Sequence, residues 1–190
     1  MLNILTLNFE NSMWSGNSLS DELLPRFALS FQLAIMALII TIIVAFPLGM
    51  LSALRKNTWV DYSIRIISIA GVATPSFWLG MLMILAILKY SQIWFGDPWI
   101  PPIMYISPID NLTANFSQLI WPALVVSARY IAVTLRMARA TILDVLSEAY
   151  IQTARSKGVT ERTIVRRHAL RNAFLPILTL LGAEFAFLIG

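Results

Sequence analysis

The segment ALSFQLAIMALIITIIVAFPLGMLSAL, residues 28–54, runs for 27 residues without a charged side chain. A helix needs only about 20 such residues to cross the hydrocarbon core of a bilayer. The segment therefore predicts a first transmembrane helix. Pro47 lies inside it and is a candidate kink, although prolines are also common in membrane helices for packing reasons.

The composition of the whole chain agrees with a membrane protein. Of the 190 residues, 58% are hydrophobic and 13% are charged, whereas soluble domains carry about 25% charged residues. These values exclude an ordinary soluble enzyme, a disordered chain and a small secreted domain. The absence of cysteine excludes disulfide bonds, thiolate metal sites and cysteine nucleophiles.

Three further apolar stretches predict membrane-spanning helices. They cover residues 66–88, about 117–138 and 172–190. The first of these contains Pro75, the next is interrupted by Arg129, and the last is apolar apart from Glu184. The predicted fold class is therefore all-α: a polytopic membrane protein with a bundle of four transmembrane helices.

The charges of the connecting segments predict how the helices are oriented. The first connection carries Arg55, Lys56 and Arg65, and the third holds eight basic residues, whereas the loop 89–116 holds a single lysine. Basic residues accumulate in cytoplasmic loops of membrane proteins. We therefore expect the first and third connections in the cytoplasm and the loop 89–116 on the outer side.

This orientation makes residues 1–27 an extracytoplasmic segment, yet they contain no secretion signal. The fourth apolar stretch is still uninterrupted at Gly190. We therefore expect the chain to be a fragment of a larger membrane protein, in which residues 28–190 form an incomplete transmembrane domain.

The third connection has a helical pattern that a simple spacer would not need. Ile142, Leu146, Ala149 and Thr153 recur at spacings of four, three and four, so a single helix would carry them on one face. Gly158 suits the left-handed residue that ends such a helix.

A second short helix is expected after the glycine. Thr160 can cap it, and Glu161 would lie favourably in its positive first turn. The pattern predicts a cytoplasmic elbow at about residues 141–171, made of a helix, a glycine turn and a short basic helix. Such an elbow suits docking into a groove of another protein.

Two motifs extend this pattern: AYIQTARSKG at residues 149–158 and HALRNAFLPILTLLG at residues 168–182. They resemble the EAA loop, and the segment that follows it, of inner-membrane permeases of binding-protein-dependent ABC importers, specifically the dipeptide, oligopeptide and nickel branch. Where the general EAA pattern has Glu-Ala-Ala, this chain has Gln152, Thr153 and Ala154. Further similar segments are PLGMLSALRKNTWVD (47–61), ATPSFWLGMLM (73–83), LRMARATILDVL (135–146) and NFENSMWSGNSLSDELLPRF (8–27).

The resemblance implies an ABC type-1 permease with a cytoplasmic EAA-type coupling helix, located in the inner membrane. It implies ATP-driven import of di- or oligopeptides, with nickel as the alternative substrate. The implied partners are a second permease subunit, two ATP-binding cassette ATPase subunits, an extracytoplasmic solute-binding protein and membrane lipid. The residues implied in ATPase coupling are Tyr150, Ile151, Thr153, Ala154, Arg155, Lys157 and Gly158.

The sequence itself suggests no enzymatic activity. It has no GxxxxGK[ST] phosphate loop, so ATP hydrolysis is assigned to a partner subunit. His168 is the single histidine and has no second ligand nearby in the sequence, so neither a metal site nor a catalytic base has support. We expect no cofactor and no nucleic-acid partner.

Several alternatives remain open at this point. Arg129 is either a residue of the translocation path or a side chain that snorkels to the cytoplasmic edge, and Glu184 poses the same question. The basic residues of the third connection are either a docking surface or an orientation signal with affinity for anionic lipid. A secondary transporter or channel without an ATPase, or a non-transporting scaffold, would also be all-α. A secondary transporter would need intramembrane ionisable residues, for which only Arg129 and Glu184 qualify.

Overall fold

The computed structural model describes residues 18–189. The predicted extracytoplasmic segment 1–27 therefore lies mostly outside the described residues, as does Gly190. Over the described range the chain is helical. The α-helices are α1 Leu19–Leu54, α2 Trp59–Ala73, α3 Ser76–Phe95, α4 Leu112–Ser147, α5 Ala149–Ser156, α6 Glu161–Thr163 and α7 Leu170–Ile189, and the segment Ile164–Ala169 between α6 and α7 is π-helical.

Four segments of this architecture are long and apolar enough to cross a membrane. They are Leu23–Leu54, Ser76–Trp94, Leu112–Ser147 and Glu161–Ile189. The all-α class and the number of four spans are thus confirmed for the described residues. The bounds of all four spans differ from the predicted ones. Two differences in the helices, one at Pro75 and one in the elbow, have a local cause.

The predicted single helix over residues 66–88 is wrong, because the chain breaks at Thr74 and Pro75 into α2 and α3. Thr74 has φ −83° and ψ 124°, which is an extended conformation. A proline clashes with an α-helical conformation of the residue before it. The sequence placed Pro75 inside one predicted helix, whereas the structure ends one helix and begins another there.

The predicted elbow also differs in its helices. One helix was expected to carry Ile142 and Thr153 on the same face, but α4 ends at Ser147 and Glu148 leaves the helical conformation with ψ 147°. As a result Ile142 is buried and Thr153 is exposed. The expected second short helix is not separate either, because it continues through the π-helical segment into α7 and forms one span from Glu161.

Helix α4 lies at the centre and contacts α1, α2, α3 and α7. It approaches α1 closely at Gly49. A Cβ atom built on Gly49 would lie 2.7 Å from the Cβ of Ala138 and 2.9 Å from the carbonyl oxygen of Leu135. Small residues let membrane helices approach closely, and Ala45 and Ala53, one turn to either side of Gly49, are buried as well.

Candidate coupling site and the polar contacts that hold it

The glycine turn of the elbow is a complete helix-ending motif. Gly158 has φ +77°, its N–H donates to the carbonyl oxygen of Arg155 at 2.9 Å, and the N–H of Val159 donates to that of Ala154 at 3.1 Å. These two bonds define a Schellman motif, which requires a left-handed residue at the glycine position. The prediction that Gly158 ends a helix is confirmed, and a Cβ at Gly158 would meet nothing within 4 Å.

The predicted coupling residues do not share one environment. Tyr150 is 42% exposed, Ala154 is half-buried, and Thr153, Arg155, Lys157 and Gly158 are exposed. Ile151 is wholly buried. Ile151 therefore lies away from the exposed surface of α5, and its role in ATPase coupling stays a prediction.

Arg155, one of the residues implied in ATPase coupling, forms a salt bridge within this chain. Its Nε lies 2.6 Å from Oε1 of Glu161 and its Nη2 lies 3.3 Å from Oε2. The salt bridge spans the glycine turn and connects the end of α5 to the start of α6. Thr160 does precede α6, as predicted, but its hydroxyl contacts the hydroxyl of Thr163 at 2.9 Å and makes no side-chain cap to the backbone.

Tyr150 connects the elbow to α7. The side-chain amide of Asn172 donates a hydrogen bond of 2.7 Å to the Tyr150 hydroxyl. The Tyr150 ring also lies edge-on to His168, with ring centroids 6.1 Å apart. Together with the buried Ile151, these contacts hold α5 against the helix that enters the membrane after it.

A buried salt bridge that the sequence analysis did not identify lies close to this elbow. Asp61 is fully buried, and Arg139 donates to both of its carboxylate oxygens at 2.8 Å. The Ser52 hydroxyl donates to Oδ1 at 2.6 Å and the N–H of Asn57 to Oδ2 at 3.0 Å. These hydrogen bonds, chiefly that of Arg139, hold the pKa of the Asp61 carboxyl well below its usual range.

The salt bridge also shapes the first connection. Asn57 has φ +63° and is the non-glycine residue with positive φ among the described residues. Asparagine adopts this region more readily than most residues, and the bond from its N–H to Asp61 stabilises the turn. Arg139 therefore attaches the turn between α1 and α2 to α4, two helical turns before α4 ends at Ser147.

Arg129 and Glu184, the two candidate path residues, line one hollow of about 260 Å³. Arg129 is exposed and lines a second hollow of about 270 Å³ beside the break at Thr74 and Pro75. Glu184 is buried and accepts hydrogen bonds of 3.0 and 3.2 Å from the Thr134 hydroxyl. Arg129 and Glu184 form no salt bridge with each other within the described residues, but both line this hollow.

Another polar network holds the loop on the opposite side of the bundle. The side-chain amide of Gln118 donates to the carbonyl oxygens of Pro102 at 2.6 Å and Met104 at 2.7 Å, and its oxygen accepts from the N–H of Ile106 at 3.2 Å. Asn115 donates to the Ile106 carbonyl oxygen at 2.7 Å. Asn115 also bonds Gln32 on α1.

The sequence indicated these polar contacts only weakly. Asp61 is an acidic residue beside a basic connection, and Gln32 interrupts an apolar run. Either observation suggests a buried polar partner. The identity of the partner was not accessible, because Asp61 and Arg139 lie 78 residues apart and Gln32 and Asn115 lie 83 apart.

Comparison with known proteins places this architecture in a family. Residues 45–190 match the family described as the binding-protein-dependent transport system inner membrane component. Because the match covers most of the chain, the chain belongs to this family of ABC importer permeases of the inner membrane.

Individual relatives point to the dipeptide and oligopeptide branch. The chain is 35% identical over 183 residues to the glutathione transport system permease protein GsiC of Escherichia coli strain K12, covering 96% of this chain and 55% of the relative. It is 34% identical over 188 residues to a putative peptide transport system permease protein of Brucella suis biovar 1, covering 99% and 58%. The chain thus spans little more than half the length of these relatives.

Proposed function

We propose that this chain forms part of a permease subunit that imports peptides through an ATP-driven transporter. The observation that carries the proposal is the exposed α5 with its Schellman turn at Gly158, attached to the bundle by buried and polar contacts. The proposed partners are a second permease subunit, two ATPase subunits and an extracytoplasmic solute-binding protein. ATP is bound and hydrolysed by the ATPase subunits.

The proposed mechanism transmits motion of the ATPase through α5. Closure of the ATPase dimer moves the docked α5, and the membrane helices change between two packings. The contact of Tyr150 with Asn172 passes the motion to α7. The adjoining end of α4 carries Arg139, so the turn at Asn57 moves with it. The docking surface consists of Tyr150, Thr153, Ala154, Arg155, Lys157 and Gly158, with Ile151 as its buried anchor.

The test is co-purification of the full-length permease with its candidate ATPase in detergent. Gly158→Arg and Ala154→Glu introduce bulk and charge on the docking surface, and both are expected to abolish recovery of the ATPase. Gly96→Arg is the matched control, because Gly96 also has a positive φ of 83° but lies after α3 on the outer side. Recovery that is indifferent to both elbow substitutions would overturn the docking proposal and favour a transporter that works without an ATPase.

The proposed substrate class is a short peptide. The proposal is supported by relatives whose names specify glutathione and peptide transport. Uptake of a labelled dipeptide by cells that depend on this permease should be competed by unlabelled di- and tripeptides. If Ni²⁺ competes with uptake and peptides do not, the substrate would instead be nickel.

Arg129 and Glu184 are proposed to line the translocation path. The hollow they share supports this role, because both ionisable groups then face a space instead of hydrocarbon alone. Arg129→Gln and Glu184→Gln should each lower peptide uptake while leaving co-purification of the ATPase unchanged. Unaltered uptake in both variants would leave the two residues with a structural role only.

A further inference from the structure

The start of the last membrane-crossing helix carries a cluster of cationic side chains around a common hollow. Arg162, Arg166 and Arg167, together with Thr163, line a space of about 350 Å³. All three arginines are exposed. The salt bridges among the described residues are Asp61–Arg139 and Arg155–Glu161, so the three guanidinium groups have no carboxylate partner within that range.

The π-helical segment Ile164–Ala169 contains Arg166 and Arg167, and Arg162 lies just before it. Its hydrogen bonds reach the fifth residue, as in the bond from the Leu170 N–H to the carbonyl oxygen of Val165. The wider turn brings residues four and five positions apart to the same side of the helix. Arg166 and Arg167 are four and five positions after Arg162, and all three line the same hollow, so they can address one anionic group.

The surface beyond the hollow is apolar. Arg171 is exposed one turn after Arg167, and the large apolar side chains exposed in the next two turns of the same helix are Phe174, Leu175 and Leu178. Spacings of three and four residues place Arg167, Arg171, Phe174 and Leu178 along one face. This face is cationic where the span begins and apolar where it enters the membrane.

We propose that this face binds one anionic phospholipid of the cytoplasmic leaflet. The headgroup phosphate would occupy the hollow of Arg162, Arg166 and Arg167, where guanidinium groups form charge-assisted bonds with phosphate oxygens. The acyl chains would lie against Leu175 and Leu178. A lipid fits this face better than a soluble anion does, because the cationic hollow is followed by an apolar surface. The bound lipid would stabilise the helix that carries Asn172, the residue that holds Tyr150 of the elbow.

The test measures lipid retention by the full-length permease without ATPase or solute, so its outcome is independent of the proposed transport function. The purified protein is reconstituted in nanodiscs of equimolar phosphatidylglycerol and phosphatidylcholine. It is then released from the nanodiscs, and native mass spectrometry identifies the lipids that stay bound. The natural protein should retain phosphatidylglycerol selectively. Replacing Arg162, Arg166 and Arg167 together with glutamine should weaken retention by about fivefold for each arginine.

The matched control removes three positive charges from the other cytoplasmic connection. Arg55→Gln, Lys56→Gln and Arg65→Gln together should leave selective retention unchanged, because these exposed side chains line no part of the hollow. If the triple arginine variant does not fold, Arg166→Gln alone should weaken retention by about fivefold and Arg166→Lys should restore it.

Three results would overturn the lipid assignment. Equal loss in the control variant would show a general charge effect. Displacement of the lipid by inorganic phosphate at low salt would assign the hollow to a free anion. Full retention by the triple variant, combined with loss of ATPase co-purification, would assign the arginines to the partner protein.

The variant Leu175→Ala with Leu178→Ala should weaken retention of both lipids without changing the preference for phosphatidylglycerol.

Discussion

Arg139 and Asp61 form a bidentate salt bridge with both N–O distances at 2.8 Å. Asp61 is fully buried, and the Arg139 side chain is 19% exposed. The pair connects the turn after α1 to the long central helix α4. Its two residues are separated by 78 positions in the sequence.

We expect Asp61→Asn to lower the stability of the detergent-solubilised protein by about 3 kcal/mol, because removing one partner of a buried pair leaves an uncompensated charge. Arg139→Lys keeps the charge but loses the bidentate geometry, and should cost less. Thermal unfolding of the full-length protein measures both effects. Asp97→Asn serves as control, since Asp97 is exposed; an equal loss there would contradict a specific role for the salt bridge.

The stabilisation that Asp61 gives to the folded protein should decrease at low pH. Its pKa in the folded protein is lowered, chiefly by the hydrogen bond from Arg139. A group with a lowered folded pKa stabilises the protein fully above its unfolded pKa of about 3.9, and this stabilisation is lost as the pH falls through the folded pKa. The difference in stability between the natural protein and Asp61→Asn should therefore be constant from pH 8 to about pH 5 and shrink below about pH 4. A difference that shrinks near neutral pH would contradict this ionisation.

Gly49→Ala should destabilise the contact between α1 and α4. The added Cβ would meet the Ala138 Cβ and the Leu135 carbonyl oxygen below 3.0 Å, so the helices must separate. We expect a loss of about 1–3 kcal/mol, measured by thermal unfolding. Gly182→Ala is the matched control, because it also lies within a helix but a Cβ there meets nothing within 4 Å. A similar loss in both variants would show that the loss does not come from the contact between α1 and α4.

Gln118→Glu should release the outer loop. The isosteric carboxylate loses the two donated bonds and places negative charge beside the carbonyl oxygens of Pro102 and Met104. Amide hydrogen exchange of residues 103–106 should accelerate about tenfold or more, because acceptors that lose their partners cost about 1–3 kcal/mol. Gln92→Glu, an exposed change at the end of α3, should leave exchange in this loop unaltered.

Gly158→Ala should test whether docking depends on the backbone conformation of the turn, because the substitution adds little steric bulk. There is space for the methyl group, but φ of +77° strains any residue with a Cβ. We expect faster exchange of the Val159 amide and weaker ATPase co-purification, with partial recovery in Gly158→Asn because asparagine tolerates this conformation better than alanine. The same strain at Gly96→Ala should leave co-purification intact. Equal recovery of the ATPase with Gly158→Ala and the natural chain would show that the turn conformation is not required.

The helical class, the four spans and the glycine turn were all predictable from the sequence. Each depends on residues that are close together in the chain, such as the uncharged run ending at Leu54 or the single residue Gly158. The bounds were less accurate where a backbone conformation intervened. Pro75 divided one predicted span and Glu148 divided the elbow, since one residue outside helical conformation is enough to change which side chains share a face.

The burial of Ile151 and the pairing of Arg155 with Glu161 depended on how α5 packs against the rest of the chain. Its local pattern marked α5 as a docking element but did not distinguish inward from outward side chains. The packing buries Ile151 and pairs Arg155 with Glu161 within the chain.

Hydropathy, charge distribution and the motif at residues 149–158 were sufficient for the membrane class and the family, because these signals are local and survive in any packing of the helices. The partners of Asp61, Gln118 and Glu184 came only from the tertiary structure. A buried polar group must be paired to offset its desolvation, yet the chain does not indicate which of many distant polar residues the helices will bring alongside it.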